Sequence, residues 1–175
     1  FKPIFIEILL YFSSSKNPHL VMTTYGLVRS AALDFVAMEK QLDRPCWDYV
    51  VCDEGHLIKN PSAQTSKACH RVCKNQSTHR LLLTGTPIQN NLKEMWALFD
   101  WATSGRLLGK PKVFENRFAI PIEEGRNKYA TNWSMNVAEK RGNELQALIR
   151  PHFLQRLKKT TFGDKLPTKR ELVVF

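Results

Sequence analysis

No stretch of this chain is long and apolar enough to span a bilayer. The closest run, Pro3 to Phe12, has about half of the roughly 18–20 residues required, and it carries Glu7 in its middle. A basic start followed by a small-residue cleavage site is also missing, so no secretory signal is read. No Cys-x-x-Cys pair occurs among Cys46, Cys52, Cys69 and Cys73. That removes the commonest zinc pattern and leaves partly buried, reduced thiols as the reading. Internal repeats and low-complexity tracts are absent. Acidic residues are scarce beside basic ones, 16 against 26, for a net charge of +10. An excess of this size favours a polyanionic partner, nucleic acid before an anionic membrane. The chain opens on Phe1 rather than Met and is read as a piece of a longer protein.

What is present suits a globular domain with a proper core, since 43% of the 175 residues are hydrophobic. Three short apolar runs, His19–Tyr25, Trp47–Cys52 and His79–Thr84, read as strands. Their weak alternation suits parallel strands buried on both faces. Helical spacing follows each of them. Leu27 to Leu42 closes at Asp43-Arg44-Pro45. A second helix opens at Pro61-Ser62, with Ser62 or Asn60 as cap, and runs through Val72. A third covers Leu92 to Trp101. Alternation of strand and helix predicts a parallel α/β sheet. Beyond Thr103 the pattern turns helical, with stretches near Val113–Phe118, Val137–Ile149 and Pro151–Thr160 and a polar loop between Pro121 and Asn132. Lys165–Lys169 reads as a linker and Glu171–Phe175 as the opening of another strand.

Two strings carry chemistry. In Val50-Val51-Cys52-Asp53-Glu54-Gly55-His56, two carboxylates stand where a buried strand emerges, the edge at which α/β sheets bind ligands. One carboxylate of such a pair can hold Mg²⁺ through its water shell while its neighbour polarises an attacking water. On the tetrapeptide alone, capping of the next helix is an equal alternative. The second string, Leu81-Leu82-Leu83-Thr84-Gly85-Thr86-Pro87-Ile88-Gln89-Asn90-Asn91, starts as a strand and ends in a polar turn. Thr84 and Thr86 present hydroxyls beside Gly85, and Asn90 or Asn91 can cap the helix that follows. Trp96 and Trp101 read as packing residues rather than base-stacking platforms.

Asp53-Glu54-Gly55-His56, a DEGH box, resembles motif II of helicase superfamily 2, and Leu83 to Asn91 resembles motif III in its SWI/SNF form. Val21-Met22-Thr23-Thr24-Tyr25 is similar to motif Ib. Ile149 to Lys158 resembles the helical segment after lobe one, and Leu166-Pro167-Thr168-Lys169-Arg170-Glu171 resembles the entry to lobe two. The chain is identified on these landmarks as a member of the SWI/SNF-type DNA translocases, similar to the Cockayne syndrome group B and PICH-like group. The resemblance implies a RecA-like parallel sheet flanked by helices, an incomplete first motor lobe with a C-terminal helical protrusion. It implies residues 19–102 as the partial lobe, 103–160 as the protrusion, and 161–175 as linker and start of lobe two.

ATP and Mg²⁺ are the implied cofactors, with double-stranded DNA and chromatin as partners, no membrane, and a nuclear location. Asp53 would organise Mg²⁺ and Glu54 would activate water, both at the nucleotide. His56, Thr84, Thr86 and Gln89 would couple the γ-phosphate to the interface between lobes. Thr23 and Thr24 would touch DNA phosphates, with Lys59 and Asn60 near the duplex. The basic residues Arg150, His152, Arg156, Lys158 and Lys159 read either as a solvated face or as part of an element bracing the lobes. The implied activity is ATP-dependent movement along duplex DNA in DNA repair or chromosome maintenance. A non-catalytic DNA- or chromatin-binding module is the alternative, and a fragment of an incomplete gene model is a third reading.

The sequence departs from the family in two places. None of its eight glycines precedes Lys-Ser or Lys-Thr in a phosphate-loop pattern. The chain also ends before the second lobe, whose arginine stabilises transition-state charge. The missing phosphate-loop segment and second RecA-like lobe are therefore expected partners, and the chain alone is expected not to hydrolyse ATP. Residues 1–18 match no landmark. They are read as a diverged strand or, by preference, as non-native sequence.

Overall fold

A computed structural model describes residues 8–12, 19–31, 47–74, 77–85 and 91–156 of the chain. Four strands form one sheet: β1 (Ile8–Phe12), β2 (His19–Thr23), β3 (Tyr49–Cys52) and β4 (His79–Leu82), in the order β2-β1-β3-β4. β3 and β4 pair in parallel, with Tyr49 opposite His79 and Cys52 opposite Leu82. β1 pairs antiparallel with both β2 and β3. It follows that β2, β3 and β4 all run one way and only β1 runs against them. The three strands read from the sequence keep the common direction expected of them, each two residues shorter. Ile8–Phe12, part of the segment left without assignment, stands between two of them as the counter-running strand. The ladder is accordingly mixed rather than wholly parallel.

Helices follow β2, β3 and β4. The first, α1, is described over 25–31 and starts two residues before the expected Leu27. Next come α2 (Gln64–Val72) and α3 (Leu92–Ala102). The expected caps of α2 do not act as such. Ala63 is its N-cap, without a side-chain bond, while Asn60 closes a separate turn in which its Oδ1 accepts from Ser62 N at 3.0 Å. Asn91 does cap α3, accepting from Lys93 N at 3.0 Å and Glu94 N at 3.2 Å. These helices and the sheet enclose a core of Ile8, Tyr25, Val28, Trp47, Val50, Cys52, Ile58, Ala68, Cys69, Val72, Cys73 and Trp101. The three described cysteines are free and buried, as expected. Buried side chains alternate with exposed ones along β3, and Leu20, Met22, Tyr49 and Leu81 stay exposed. Among the described residues, burial on both faces of the sheet does not hold, since one face carries the core and the other keeps these side chains exposed.

The remaining helices make a second cluster. α4 (Pro111–Phe114) runs through a π-helical turn (Glu115–Ala119) into α5 (Ile120–Gly125), and α6 spans Asn132–Ile149. The expected loop from Pro121 therefore begins as helix. Pro121 has no N–H to return to the preceding turn, and Ile120 N bonds to Glu115 O, five residues back. A π turn absorbs this irregularity without ending the helix. Leu92, Met95, Trp96, Phe99, Phe114, Phe118, Ile122 and Leu145 are buried together here. Trp96 and Trp101, 8% and 0% exposed, are core residues as expected. α6 stops in a short 3-10 turn, Arg150–His152. Residues 153–156 are not helical, so the helix expected from Pro151 is absent as far as the described residues reach. Pro151 has no N–H to return to the carbonyl of Ala147, which accounts for the stop.

Candidate functional site

Because β2, β3 and β4 share a direction, their carboxyl ends meet at one edge of the sheet. Thr23 and Thr24 leave β2 there, Asp53 and Glu54 leave β3, and Thr84 follows β4. The sequence spacing alone separates these groups by tens of residues; the sheet brings them together.

Backbone hydrogen bonds tie the exits of β3 and β4. Leu83 N donates to Cys52 O at 2.9 Å and Gly55 N donates to Leu83 O at 2.8 Å. The parallel ladder thus continues past both strands and fixes the acidic turn against the threonine-bearing exit. Between these bonds Glu54 adopts a left-handed backbone, φ 47° and ψ 47°, rare for a residue with a side chain. That reversal turns the chain from β3 into the single 3-10 turn Gly55–Ile58. Asp53 and Glu54 are both exposed at the edge. One oxygen of Asp53, Oδ1, accepts from Glu54 N at 2.8 Å. Glu54 Oε2 lies 3.1 Å from His56 Nδ1, but at an angle that makes no hydrogen bond. Gly55 is required by space. A Cβ there would stand 2.9 Å from Leu82 Cδ2 and 3.3 Å from Leu82 Cβ.

The turn after β2 is joined to the acidic turn by a residue that sequence reasoning gave no role. Tyr25 is buried, and its hydroxyl donates to the carbonyl of Asp53 at 2.7 Å. Its neighbour Thr24 caps α1, with Oγ1 accepting from Leu27 N at 3.3 Å. Tyr25 closes the quoted Val21–Tyr25 string, yet its partner is 28 residues away and only the fold supplies it.

Lys59 and Asn60 lie just beyond the 3-10 turn, on the wall of a cleft of about 430 Å³ that Glu94, Trp96 and Phe114 also line. Lys59 Nζ is 3.0 Å from Glu94 Oε2, so its charge is engaged by α3, and Asn60 is occupied in its own turn. Thr84 is exposed at the edge. Thr86 and Gln89 lie outside the described residues.

The sequence profile of the SNF2-related domain matches residues 11–175. The chain belongs to the SNF2-related domain family. Among relatives of this SNF2-related chain, protein CHROMATIN REMODELING 24 of Arabidopsis thaliana is 41% identical over 166 residues, covering 89% of this chain and 15% of that protein. The DNA repair and recombination protein RAD26 of Saccharomyces cerevisiae is 41% identical over 157 residues, 90% of this chain and 13% of its own length. The chain thus spans a small part of the curated relatives it matches. Among solved structures, the Sulfolobus solfataricus SWI2/SNF2 ATPase core in complex with dsDNA aligns with TM-score 0.55 and 32% identity, covering 78% of this chain and 24% of that one. The fold is that of the RecA-like SNF2 ATPase core.

The donor set at the edge suits a small hard cation. Mg²⁺ keeps most of its water and takes one or two carboxylates together with substrate phosphates. Two exposed carboxylates at a strand exit meet that need, and among the described residues no group of three or more His, Cys, Asp or Glu offers a full protein cage. Asp53 would be the holding residue, with phosphate oxygens and water completing the shell and Glu54 beside it free to meet a water.

Proposed function

We propose that this SNF2-related chain is most of the first motor lobe of an ATP-dependent, DNA-stimulated translocase on double-stranded DNA, working in DNA repair or chromatin maintenance in the nucleus. The observation that carries this reading is the backbone clamp between the Asp53–Glu54 turn and the Leu83–Thr84 exit, with Thr23 and Thr24 on the same edge. In this reading Asp53 holds the Mg²⁺ of Mg-ATP, and that cation neutralises charge on the phosphates. Glu54 orients and polarises the attacking water. His56, Thr84, Thr86 and Gln89 relay the phosphate state toward the second lobe. Thr23 and Thr24 bind backbone phosphates, with Lys59 and Asn60 beside them. Such contacts place the motor without reading sequence. Residues 19–102, with the strand Ile8–Phe12 in the same sheet, form the partial lobe, 103–160 its protrusion, and 161–175 the passage to lobe two.

The bond from Tyr25 to Asp53 supports the same reading, because it links the proposed DNA contact to the proposed nucleotide contact through one buried hydroxyl. The 175-residue chain, without a Gly-Lys-Ser/Thr loop in its sequence, is expected to release no phosphate from ATP by itself. Joined to a phosphate loop and second lobe, it is expected to turn over ATP when duplex DNA is added. Glu54→Gln in that longer protein should abolish phosphate release and leave ATP binding intact. Unchanged turnover would refute the role of Glu54. No turnover in the longer wild-type protein, with DNA binding kept, would favour a non-catalytic DNA-binding module.

A further inference from the structure

Two large aromatic side chains near the start of α6 are almost uncovered. Tyr129 is 85% exposed and Trp133 is 73% exposed. The other three tryptophans, Trp47, Trp96 and Trp101, are buried. Neither ring belongs to an apolar cluster among the described residues, and the proposed DNA contacts lie elsewhere, at the sheet edge.

The turn that carries them is built and fixed. Arg126 N donates to Glu123 O and Asn127 N to Glu124 O, while Ala130 N returns to Asn127 O at 3.0 Å. Asn127 Oδ1 accepts from Tyr129 N at 3.2 Å. Thr131 then caps α6, accepting from Ser134 N at 3.2 Å. Gly125 lets the two helices touch just behind the turn. A Cβ there would fall 2.2 Å from Ala138 Cβ and 2.7 Å from the backbone oxygen of Ser134. Ordering of this segment is therefore already accounted for before any ligand arrives.

Cations flank the rings, with the exposed carboxylates Glu123, Glu124 and Glu139 at the borders of the segment. Between residues 125 and 138 the only charged side chains are Arg126 and Lys128. On the face of α6 below Trp133, Asn136, Lys140 and Asn143 are exposed. Glu144, at the border of that face, is held by Arg117 and Arg141. Glu123 lies within electrostatic reach of Lys93, and Glu139 is about a third of a turn round the helix from Trp133.

We propose that the α5–α6 turn and the exposed face of α6 bind single-stranded nucleic acid. Tyr129 and Trp133 stack on unpaired bases, and Arg126, Lys128 and Lys140 meet the phosphates. Bare rings interleaved with cations and amides are the equipment of sequence-tolerant strand binding. A duplex keeps its base faces stacked inside and offers these rings no partner, and an acidic peptide would satisfy the cations while leaving the rings bare. The inference rests on the DNA-motor reading only for the choice of DNA as the polymer tested.

The test uses the 175-residue protein, a fluorescein-labelled oligothymidylate and a blunt mixed-sequence duplex. Oligothymidylate is expected to quench the fluorescence of exposed Trp133. Trp133→Ala and Tyr129→Ala should each weaken its binding about tenfold, with Trp133→Phe restoring most of it and duplex binding unchanged throughout. Both side chains are exposed, so circular dichroism should report an intact fold. Oligothymidylate affinity unmoved by both alanine variants overturns the inference, as does sodium polyglutamate competing equally well at equal charge. Wild-type protein that binds oligothymidylate but not the duplex would sink the duplex-contact reading and leave this one standing.

Discussion

Glu54 holds a left-handed backbone that costs a residue with a side chain roughly 1–2 kcal/mol. The two bonds through Leu83 sit on either side of that strain and retain it, which holds the acidic turn against the exit of β4. Gly55 is the residue that lets those bonds close, since the exit of β4 passes directly over it. Gly55→Ala is expected to destabilise the protein by about 1 kcal/mol, the low end of overpacking costs, because the nearer atom met is the movable Cδ2 of Leu82. Urea unfolding measures it. Leu82→Ala in the same chain should relieve part of the loss, so a double-mutant cycle that returns strict additivity would show that the two side chains do not meet. The acidic pair and its strand exit were legible in the sequence because both are local strings. Tyr25's bond to Asp53 and the hold of Glu94 on Lys59 were not, because each joins segments whose adjacency only the sheet creates.

α3 depends on a cap that the sequence offered in two places. Asn91 supplies the oxygen that satisfies Lys93 N and Glu94 N, while Asn90 lies outside the described residues. Asn91→Ala should cost about 1 kcal/mol, and Asn91→Asp should cost much less, since aspartate accepts the same bonds and favours the helix N-terminus. Equal losses in thermal unfolding would mean that the cap contributes nothing. Strand and helix identities were readable for β2, β3, β4, α2 and α3 from their apolar runs and helical spacing, although among the described residues the strands bury one face rather than two. β1 was not, since a run such as Ile8–Phe12 states that a strand is apolar and says nothing about its direction or its neighbours. Pro121 misled in the opposite way. It marks a helix end in isolation, yet here a π turn carries the helix on to Gly125, because Phe118, Ala119 and Ile122 are buried on both sides of it.

Two apolar clusters make up the whole described molecule, and α3 belongs to both. Leu98, Trp101 and Ala102 face the sheet's core, while Met95, Trp96 and Phe99 face α4 to α6. A polar seam closes its far end. Arg80 on β4 donates through Nη1 to Trp101 O at 2.9 Å and through Nη2 to Cys73 O, so one guanidinium meets the carbonyl ends of both α2 and α3, where helix dipoles favour a cation. Its charge lies 5.8 Å from the Trp101 ring centre. Beside it, His70 Nε2 on α2 stands 3.9 Å from Asp100 Oδ2 on α3. Burial pushes His70 below its usual value, opposed by Asp100 and assisted by Arg80. Burial pushes Asp100 up, opposed by His70 and Arg80. For His70 the folded value lies under the unfolded value of 6.5, so the unfolded chain takes up the proton first. The stability linked to it is present above 6.5 and is lost as pH falls through the folded value. Asp100 has the reverse sign: its contribution is full below the unfolded value of 3.8 and is lost as pH rises through the folded one. Substitution separates the two. Acidifying from neutral to below about 6.5 should lower the Tm of the unaltered protein, and His70→Gln should flatten that decline while Asp100→Asn leaves the protein still falling. If the His70→Gln curve runs parallel to the original over this interval, the seam between the two clusters is not where the protein senses acid.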